Sequence, residues 1–432
     1  MQGSLTDEQK PSPFSVMVKP VGSQCNLRCS YCYYREKPAW SSPDMTDSPA
    51  TGARMSDEVL ERFVRQYIEA SVGPEVSFVW HGGEPSLAGI GFYQRAVELQ
   101  KQYLPEGWVA WNNLQTNGIL LDDEWCSFLA DAEFDVGLSI DGTEAVHDRY
   151  RLDADGGQTY QAVVQTAERL LAHGVRPDLL CTVTSTTAAD PLGVYRALRE
   201  LNTGWIQFIP IIRRRQSGDV TPDSVSDVAY ADFLCAVFDE WVQHDISRLV
   251  VQAFAEMARV WAGGSAGLCW MAPTCGRALI VEADGSVYSC DHYVFPEHRI
   301  GSILESHLGD LADSPEQLGF GADKYKALPK QCLDCAALAV CNGGCPKDRF
   351  LMTQEGEVGL NYLCQGLKRF FTYARPMVEE IDRLRRIGVA PAAIDSQMLE
   401  MAKARWKGVG RNDPCICGSG RKAKNCCWNR KP

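Results

Sequence analysis

Cys25, Cys29 and Cys32 put three thiols within eight residues, spaced C-x3-C-x2-C, in the run Gln-Cys-Asn-Leu-Arg-Cys-Ser-Tyr-Cys-Tyr-Tyr. Thiolates so close can wrap one iron–sulfur cluster, yet a cubane of four irons normally takes four protein thiolates. The spacing therefore predicts one iron left open to bind and activate something else. A zinc knuckle would want a fourth ligand, and no His or Cys lies close by in sequence.

Eight more cysteines run as Cys269-x5-Cys275, x14 to Cys290, then Cys332-x2-Cys335-x5-Cys341-x3-Cys345 and, after eighteen residues, Cys364. Eight thiolates make two complete four-cysteine sites. Spacing alone neither pairs them nor chooses iron–sulfur over zinc. Ala278 to Val281, the turn Ala283-Asp-Gly-Ser286 and Val287 to Ser289 read as a hairpin that delivers Cys290, followed at once by Asp291. A carboxylate beside a cluster ligand can serve as a base; a hydrogen-bonded turn residue is the other reading of Asp291. At the C-terminus, Cys415-x-Cys417-x8-Cys426-Cys427 supplies four soft ligands in a compact loop. Tetrahedral zinc suits it, with a third electron-relay cluster as the rival, and so small a unit needs its metal to fold. Cys126, Cys181 and Cys235 remain of the 18 cysteines and read as ordinary buried residues.

The elements that must position these groups alternate along the chain, as in parallel α/β units. Strands are expected at Ser15 to Lys19, Val76 to Trp80, Ala110 to Gln115, Asp135 to Ile140, Leu179 to Val183 and Trp205 to Ile209. Helices fall between them, near Ser56 to Ala70, Tyr93 to Tyr103, Asp122 to Ala132, Tyr160 to His173 and Pro191 to Leu201. Six β/α units predict a partial (β/α)6 barrel, an α/β fold whose chemistry sits at the carboxyl ends of its strands. His81-Gly82-Gly83-Glu84-Pro85 follows the second strand, where paired glycines let the backbone approach a ligand closely. Arg151 suits a carboxylate by its bidentate geometry, with a surface ion pair as the other reading.

Composition bounds the partners. The 432 residues carry a formal net charge of −12, which argues against nucleic acid. From Lys403 to Pro432 nine Lys/Arg face the single acid Asp413, so a tail of about +8 follows a body near −20. The chain contains no apolar run of membrane-spanning length, and Met1 to Pro13 lack a signal peptide's apolar stretch. A cytoplasmic protein with reduced, metal-binding thiols is the expectation.

The three-cysteine loop, the GGEP turn one unit later and the later cysteines resemble the radical S-adenosylmethionine (radical SAM) enzymes with a SPASM extension. The resemblance to their anaerobic sulfatase-maturating members runs from about Phe14 to Arg375. It rests also on Leu87-Ala-Gly89, Leu114-Gln-Thr-Asn-Gly118, Leu121-Asp-Asp-Glu-Trp-Cys126, Val136-Gly-Leu-Ser-Ile-Asp-Gly142, Gln207-Phe-Ile-Pro210 and Gly359-Leu-Asn-Tyr-Leu-Cys364. Several family members carry Gln where this chain has His81. The tail Gly410-Arg-Asn-Asp-Pro-Cys415 to Cys427 resembles the SEC-C zinc module.

The resemblance implies three [4Fe–4S] clusters, S-adenosylmethionine and Zn2+. Cys25, Cys29 and Cys32 would hold the cluster that cleaves the cofactor. Cys269, Cys275, Cys290 and Cys345 would hold one auxiliary cluster; Cys332, Cys335, Cys341 and Cys364 the other. Cys415, Cys417, Cys426 and Cys427 would hold zinc. Gly82, Gly83 and Glu84 would receive the cofactor's methionine amino group, Ser139 and Arg151 its ribose and carboxylate, and Tyr31 its adenine. Asp291 would be the proton acceptor in oxidation of a sulfatase Cys or Ser to Cα-formylglycine. An unfolded or nascent sulfatase is the implied substrate, flavodoxin or ferredoxin the electron donor, and chaperones or secretion machinery contacts of the tail. The implied division is a flexible N-terminus (1–13), the radical SAM partial barrel (14–245), the SPASM domain (246–375), a helical linker (376–409) and the zinc module (410–432). The alternatives are another SPASM peptide maturase, forming thioether or carbon–carbon crosslinks, and a non-catalytic metalloprotein led by the tail.

Overall fold

The computed structural model describes residues 13–36, 54–215 and 217–432, so the flexible segment expected over 1–13 lies, but for Pro13, outside the described residues. Six strands follow the expected alternation: β1 (Ser15–Lys19), β2 (Glu75–Trp80), β3 (Val109–Thr116), β4 (Phe134–Ser139), β5 (Asp178–Val183) and β6 (Trp205–Pro210). A short β7 (Val250–Val251) extends them at one edge. At the other edge β8 (Ala278–Glu282), β9 (Ser286–Tyr288) and β10 (Arg299–Ser302) complete a ten-stranded sheet, in the order β10-β9-β8-β1-β2-β3-β4-β5-β6-β7.

Local chemistry explains the elements. Val16 and Val18 are buried in β1, and Val76, Phe78 and Trp80 alternate inward along β2. Helix Asp57–Ala70 starts where the Ser56 hydroxyl accepts from the Val59 amide, with Asp57 and Glu58 at its positive end. Asp122 caps helix Asp123–Asp131 in the same way. Phe63, Phe78, Trp80 and Tyr93 meet edge to face between sheet and helices. The buried Asn112 of β3 is satisfied by Trp80 Nε1 and Gln100, each at 2.9 Å.

The sheet does not stop where the sixth unit does. β8 pairs in parallel with β1, Ser15 facing Ala278 and Lys19 facing Glu282, while β8 and β9 pair antiparallel as the expected hairpin. This register sets the end of β8 beside the end of β1, so the Cys290–Asp291 segment reaches the cysteine loop. Helix Asp227–His244 packs on helix Cys364–Arg386, and the tail lies against both through Cys415, Cys417 and Cys427. Cys126, Cys181 and Cys235 are fully buried, as expected.

Candidate active site at the carboxyl ends of the strands

The cysteine loop leaves β1 and is pinned to the segment after helix Glu144–Tyr150: Arg28 N donates to Leu152 O at 2.7 Å and Ser30 N to Tyr150 O at 3.1 Å. Asn117, just past β3, donates to Asn26 Oδ1 at 2.8 Å and to Cys25 Sγ at 3.7 Å. Burial pushes the Cys25 thiol up to about 12 and Cys29 up to about 11, the latter against the pull of Arg151. Thiolates at these positions need a bound cation to hold them.

Gly82 and Gly83 do allow a close approach, and its first partner is the cysteine loop itself. Gly83 N donates to Gly22 O at 2.9 Å and Glu84 N to Gln24 O at 2.7 Å. A Cβ on Gly83 would lie 2.0 Å from Gln24 O. Glu84, fully buried, accepts from Ser86 N (3.0 Å), Ser86 Oγ (2.6 Å), Thr116 Oγ1 (2.7 Å) and Asn117 N (2.7 Å). Burial raises its pKa against these four donors, which favour the carboxylate. Its side chain thus ties the turn to the end of β3.

Arg151 is not a surface ion pair. Its Nε lies 2.9 Å from Asp141 Oδ2 in the interior, and Nη2 reaches Thr182 Oγ1 at 3.3 Å. The Tyr31 hydroxyl also donates to Asp141, and its ring lies 5.5 Å from the Arg151 guanidinium carbon. Ser139, ending β4, accepts from Gln115 Nε2 at 3.2 Å. Asp141 organises this corner; in the sequence it stands only within the run Val136 to Gly142, with no role of its own. A lone acid directly after an apolar strand was its signal.

On the other side of the loop, Lys19 ends β1 with its side chain fully buried, and its Nζ lies 2.7 Å from Asp291 Oδ1. Tyr33 donates to Asp291 Oδ2, and Tyr34 to Glu282 at the end of β8. His81 Nδ1 accepts from Gly82 N at 2.6 Å and lies 3.3 Å from Lys19 Nζ. Burial, then the Lys19 charge, lowers His81 to about 3, so the ring is neutral at pH 7. Burial alone would raise Asp291; the charge of Lys19, which also hydrogen-bonds the carboxylate, overcomes it and holds the carboxyl well below its usual range. Burial also lifts Glu282 to about 7. Lys19, Tyr33 and Glu282 were not singled out from sequence, where a charge closing an apolar strand was again the only sign.

The eight later cysteines fall into two neighbourhoods. As thiolates, Cys345 and Cys269 would act on Cys290, and Cys269 on Cys275. Cys332, Cys341 and Cys335 would likewise act on Cys364. Burial pushes Cys341 and Cys345 up to about 11 and Cys364 to about 12, so these donors too suit a cationic core. In the tail the sulfurs of Cys415, Cys417, Cys426 and Cys427 all lie within 4.8 Å of one another. Among the described residues this is the one metal-ligand set gathered so tightly. That spread fits four Zn–S bonds of about 2.3 Å and is too small to enclose a cubane. Arg430 donates to Cys427 Sγ at 2.7 Å and Arg421 to Cys426 Sγ at 3.2 Å.

A parallel barrel with a three-cysteine loop at its carboxyl face, extended by a hairpin that leads into a cysteine-rich region, defines a radical SAM enzyme. The radical SAM superfamily matches residues 20–190, the SPASM iron–sulfur cluster-binding domain 269–336, and the SEC-C motif 411–429. The serine-type anaerobic sulfatase-maturating enzyme of Bacteroides thetaiotaomicron is 41% identical over 88% of this chain and 94% of its own. The cysteine-type enzyme of Clostridium perfringens is 34% identical over 84% of this chain and 97% of its own. The solved structure of anSMEcpe with bound AdoMet and Cp18Cys peptide superposes with TM-score 0.76 and 32% identity, covering 86% of this chain and 99% of that one. The chain belongs to the anaerobic sulfatase-maturating enzymes. Among the described residues no helix is long and apolar enough to cross a membrane.

Proposed function

We propose that this enzyme oxidises the Cβ of a Cys or Ser side chain in a sulfatase to Cα-formylglycine. The observation that carries the reading is the meeting of Asp291, from the segment after Cys290, with Lys19 and Tyr33 at the mouth of the cysteine loop. It brings a base to the place where the chemistry starts. When bound, the [4Fe–4S] cluster of Cys25, Cys29 and Cys32 with S-adenosylmethionine supplies the 5′-deoxyadenosyl radical that removes a Cβ hydrogen.

The chain's own residues do the rest. Gly82, Gly83 and Glu84 shape the turn that receives the cofactor's methionine end, and Glu84 fixes that turn through its four donors. Tyr31, Ser139 and Arg151 line the cofactor's adenosine and carboxylate side, with Asp141 orienting Tyr31 and Arg151. Asp291 accepts the substrate's thiol or hydroxyl proton. A low pKa does not disqualify it, because that proton becomes strongly acidic as the neighbouring carbon is oxidised. Lys19 keeps the carboxylate ionised and ready. Cys269, Cys275, Cys290 and Cys345, and Cys332, Cys335, Cys341 and Cys364, would hold two auxiliary [4Fe–4S] clusters, which would supply a sink for the remaining electron, and a flavodoxin or ferredoxin is the electron donor. Cys415, Cys417, Cys426 and Cys427 hold zinc in a module that contacts chaperones or secretion machinery.

The test is anaerobic turnover with peptides containing Cys-x-Pro-x-Arg or Ser-x-Pro-x-Arg, read by mass spectrometry. The expected product is the aldehyde, formed directly from Ser and, from Cys, by hydrolysis of the thioaldehyde with release of hydrogen sulfide. Cofactor cleavage with both peptides unchanged overturns the assignment, and a new intramolecular crosslink would favour a different maturase.

A further inference from the structure

Two cations are built into the auxiliary-cysteine region without acidic partners. Lys324, in helix Pro315–Lys326, is 2% exposed, and its ammonium donates to Cys269 O at 2.6 Å, Trp270 O at 3.1 Å and Ala272 O. Arg349 Nε donates to Gly343 O at 2.9 Å, Nη2 to Asn342 O at 2.6 Å and Gly344 O at 3.2 Å, and Nη1 to Lys324 O. Among the described residues neither forms an ion pair with a carboxylate within 4.0 Å.

A cation taken out of water and given only neutral carbonyls is costly unless negative charge lies nearby. The carbonyls locate that charge. Lys324 grips the segment that begins at Cys269. Arg349 grips the turn Asn342–Gly344, whose left-handed residues (φ 44°, 71° and 66°) fold the chain between Cys341 and Cys345. Cys341 belongs to one cysteine neighbourhood and Cys345 to the other, so the guanidinium sits at their junction. The surrounding cysteines agree: as thiolates, Cys332 and Cys341 together with Cys345 and Cys275 would act on Arg349, whereas Cys275, Cys269 and Cys345 would act on Lys324. A four-thiolate cluster is anionic and gains a further negative charge on reduction, and local charge is one of the levers that set its potential.

We propose that Arg349 is a fixed counter-charge shared by both auxiliary clusters, and Lys324 one private to the cluster of Cys269, Cys275, Cys290 and Cys345, together raising the potentials at which these clusters accept an electron. Both are positioning residues, acting on the reaction through the clusters. The inference rests on the eight cysteines holding two clusters.

The experiment is a redox titration of the full-length, anaerobically reconstituted protein, followed by electron paramagnetic resonance, with iron counted on each sample. In Arg349→Gln both auxiliary midpoints move to more negative potential; in Lys324→Met only one does; in Arg349→Lys both stay at wild-type values. Arg349→Gln with full iron and unmoved midpoints overturns the proposal, as does Lys324→Met shifting both signals equally. Should Arg349→Gln lose iron, Arg349→Lys decides, since it keeps the charge but loses the fork of donors. Unchanged midpoints then support the counter-charge, and displaced ones overturn it. Wild-type protein that takes up only about four irons, a single cubane, overturns the cluster reading itself and is distinguished from these results by the count alone.

Discussion

Lys19 and Asp291 form a buried ion pair 2.7 Å long between the last residue of the first strand and the residue after Cys290, 272 positions later. Neither half is optional for the other. Burial opposes the charge on Asp291, and the Lys19 charge is the main force that overcomes it. Lys19→Met should therefore raise the Asp291 pKa and destabilise the fold by about 3–5 kcal/mol, the cost of stripping one partner from a buried pair. Denaturant midpoints would measure the loss, and turnover against pH should gain an acid limb absent from the wild type. Asp291→Asn should keep cofactor cleavage while abolishing aldehyde formation.

His81 predicts a pH dependence. Its folded pKa is depressed from 6.5 to about 3, chiefly by burial. Between those values the unfolded chain binds a proton that the folded chain refuses, so this residue's contribution to stability falls as pH drops below about 6.5. Glu282, raised to about 7, acts in the opposite sense as pH rises above its ordinary range. The clean measurement is thus the difference between wild type and His81→Gln. The wild type should lose more stability than the variant between pH 7 and pH 5, and equal urea midpoint shifts would contradict the neutral buried imidazole.

Gly83 is tested by one methyl group. Its added Cβ would stand 2.0 Å from Gln24 O, a backbone atom that cannot swing aside. Gly83→Ala should cost about 1–3 kcal/mol by overpacking. It should also weaken S-adenosylmethionine binding, measured by equilibrium dialysis, because the turn and the cysteine loop must separate. Gly89, with nothing within 4 Å of its Cβ position, marks the contrast in space alone, since its φ of 80° still strains any side chain.

Much of this architecture is legible in the sequence because its signals are local. β1 falls at its expected residues, and β2 to β6 lie within about a residue of theirs, since short apolar runs bounded by polar turns carry their own period. Helix Asp57–Ala70 announces itself through Ser56 and two acids. Helix Asp227–His244 does not: it is buried on most sides, so it lacks the polar stripe that gives a helix its period. The parallel pairing of β8 with β1 joins residues more than 260 positions apart, and nothing local marks such a register. The same reason hides the site's electrostatics. Glu84 reads as a ligand-binding acid but spends its oxygens on Ser86, Thr116 and Asn117. Lys19 and Arg349 read as ordinary charges until the fold surrounds them with Asp291 in one case and carbonyls in the other.

The tail offers the last prediction. Asp232 receives Arg369 at 2.5 Å and Arg421 at 2.6 Å, and Arg430 lies 3.5 Å from Asp239. The Arg421 and Arg430 pairs fasten the tail to helix Asp227–His244, while Arg369 ties Asp232 to the partner helix that begins at Cys364. Arg421 is half exposed, so its pair contributes only about 0.2–1 kcal/mol; a metal must supply most of the tail's order. Cys426→Ser should abolish the binding of about one zinc per chain, the load of a four-cysteine site. Trypsin should then cut between Arg405 and Arg411, while the wild type resists. Iron content should be unchanged, because the tail sulfurs are separate from both auxiliary sets. Loss of iron in this variant would show instead that tail and clusters fold as one unit through the helix that starts at Cys364.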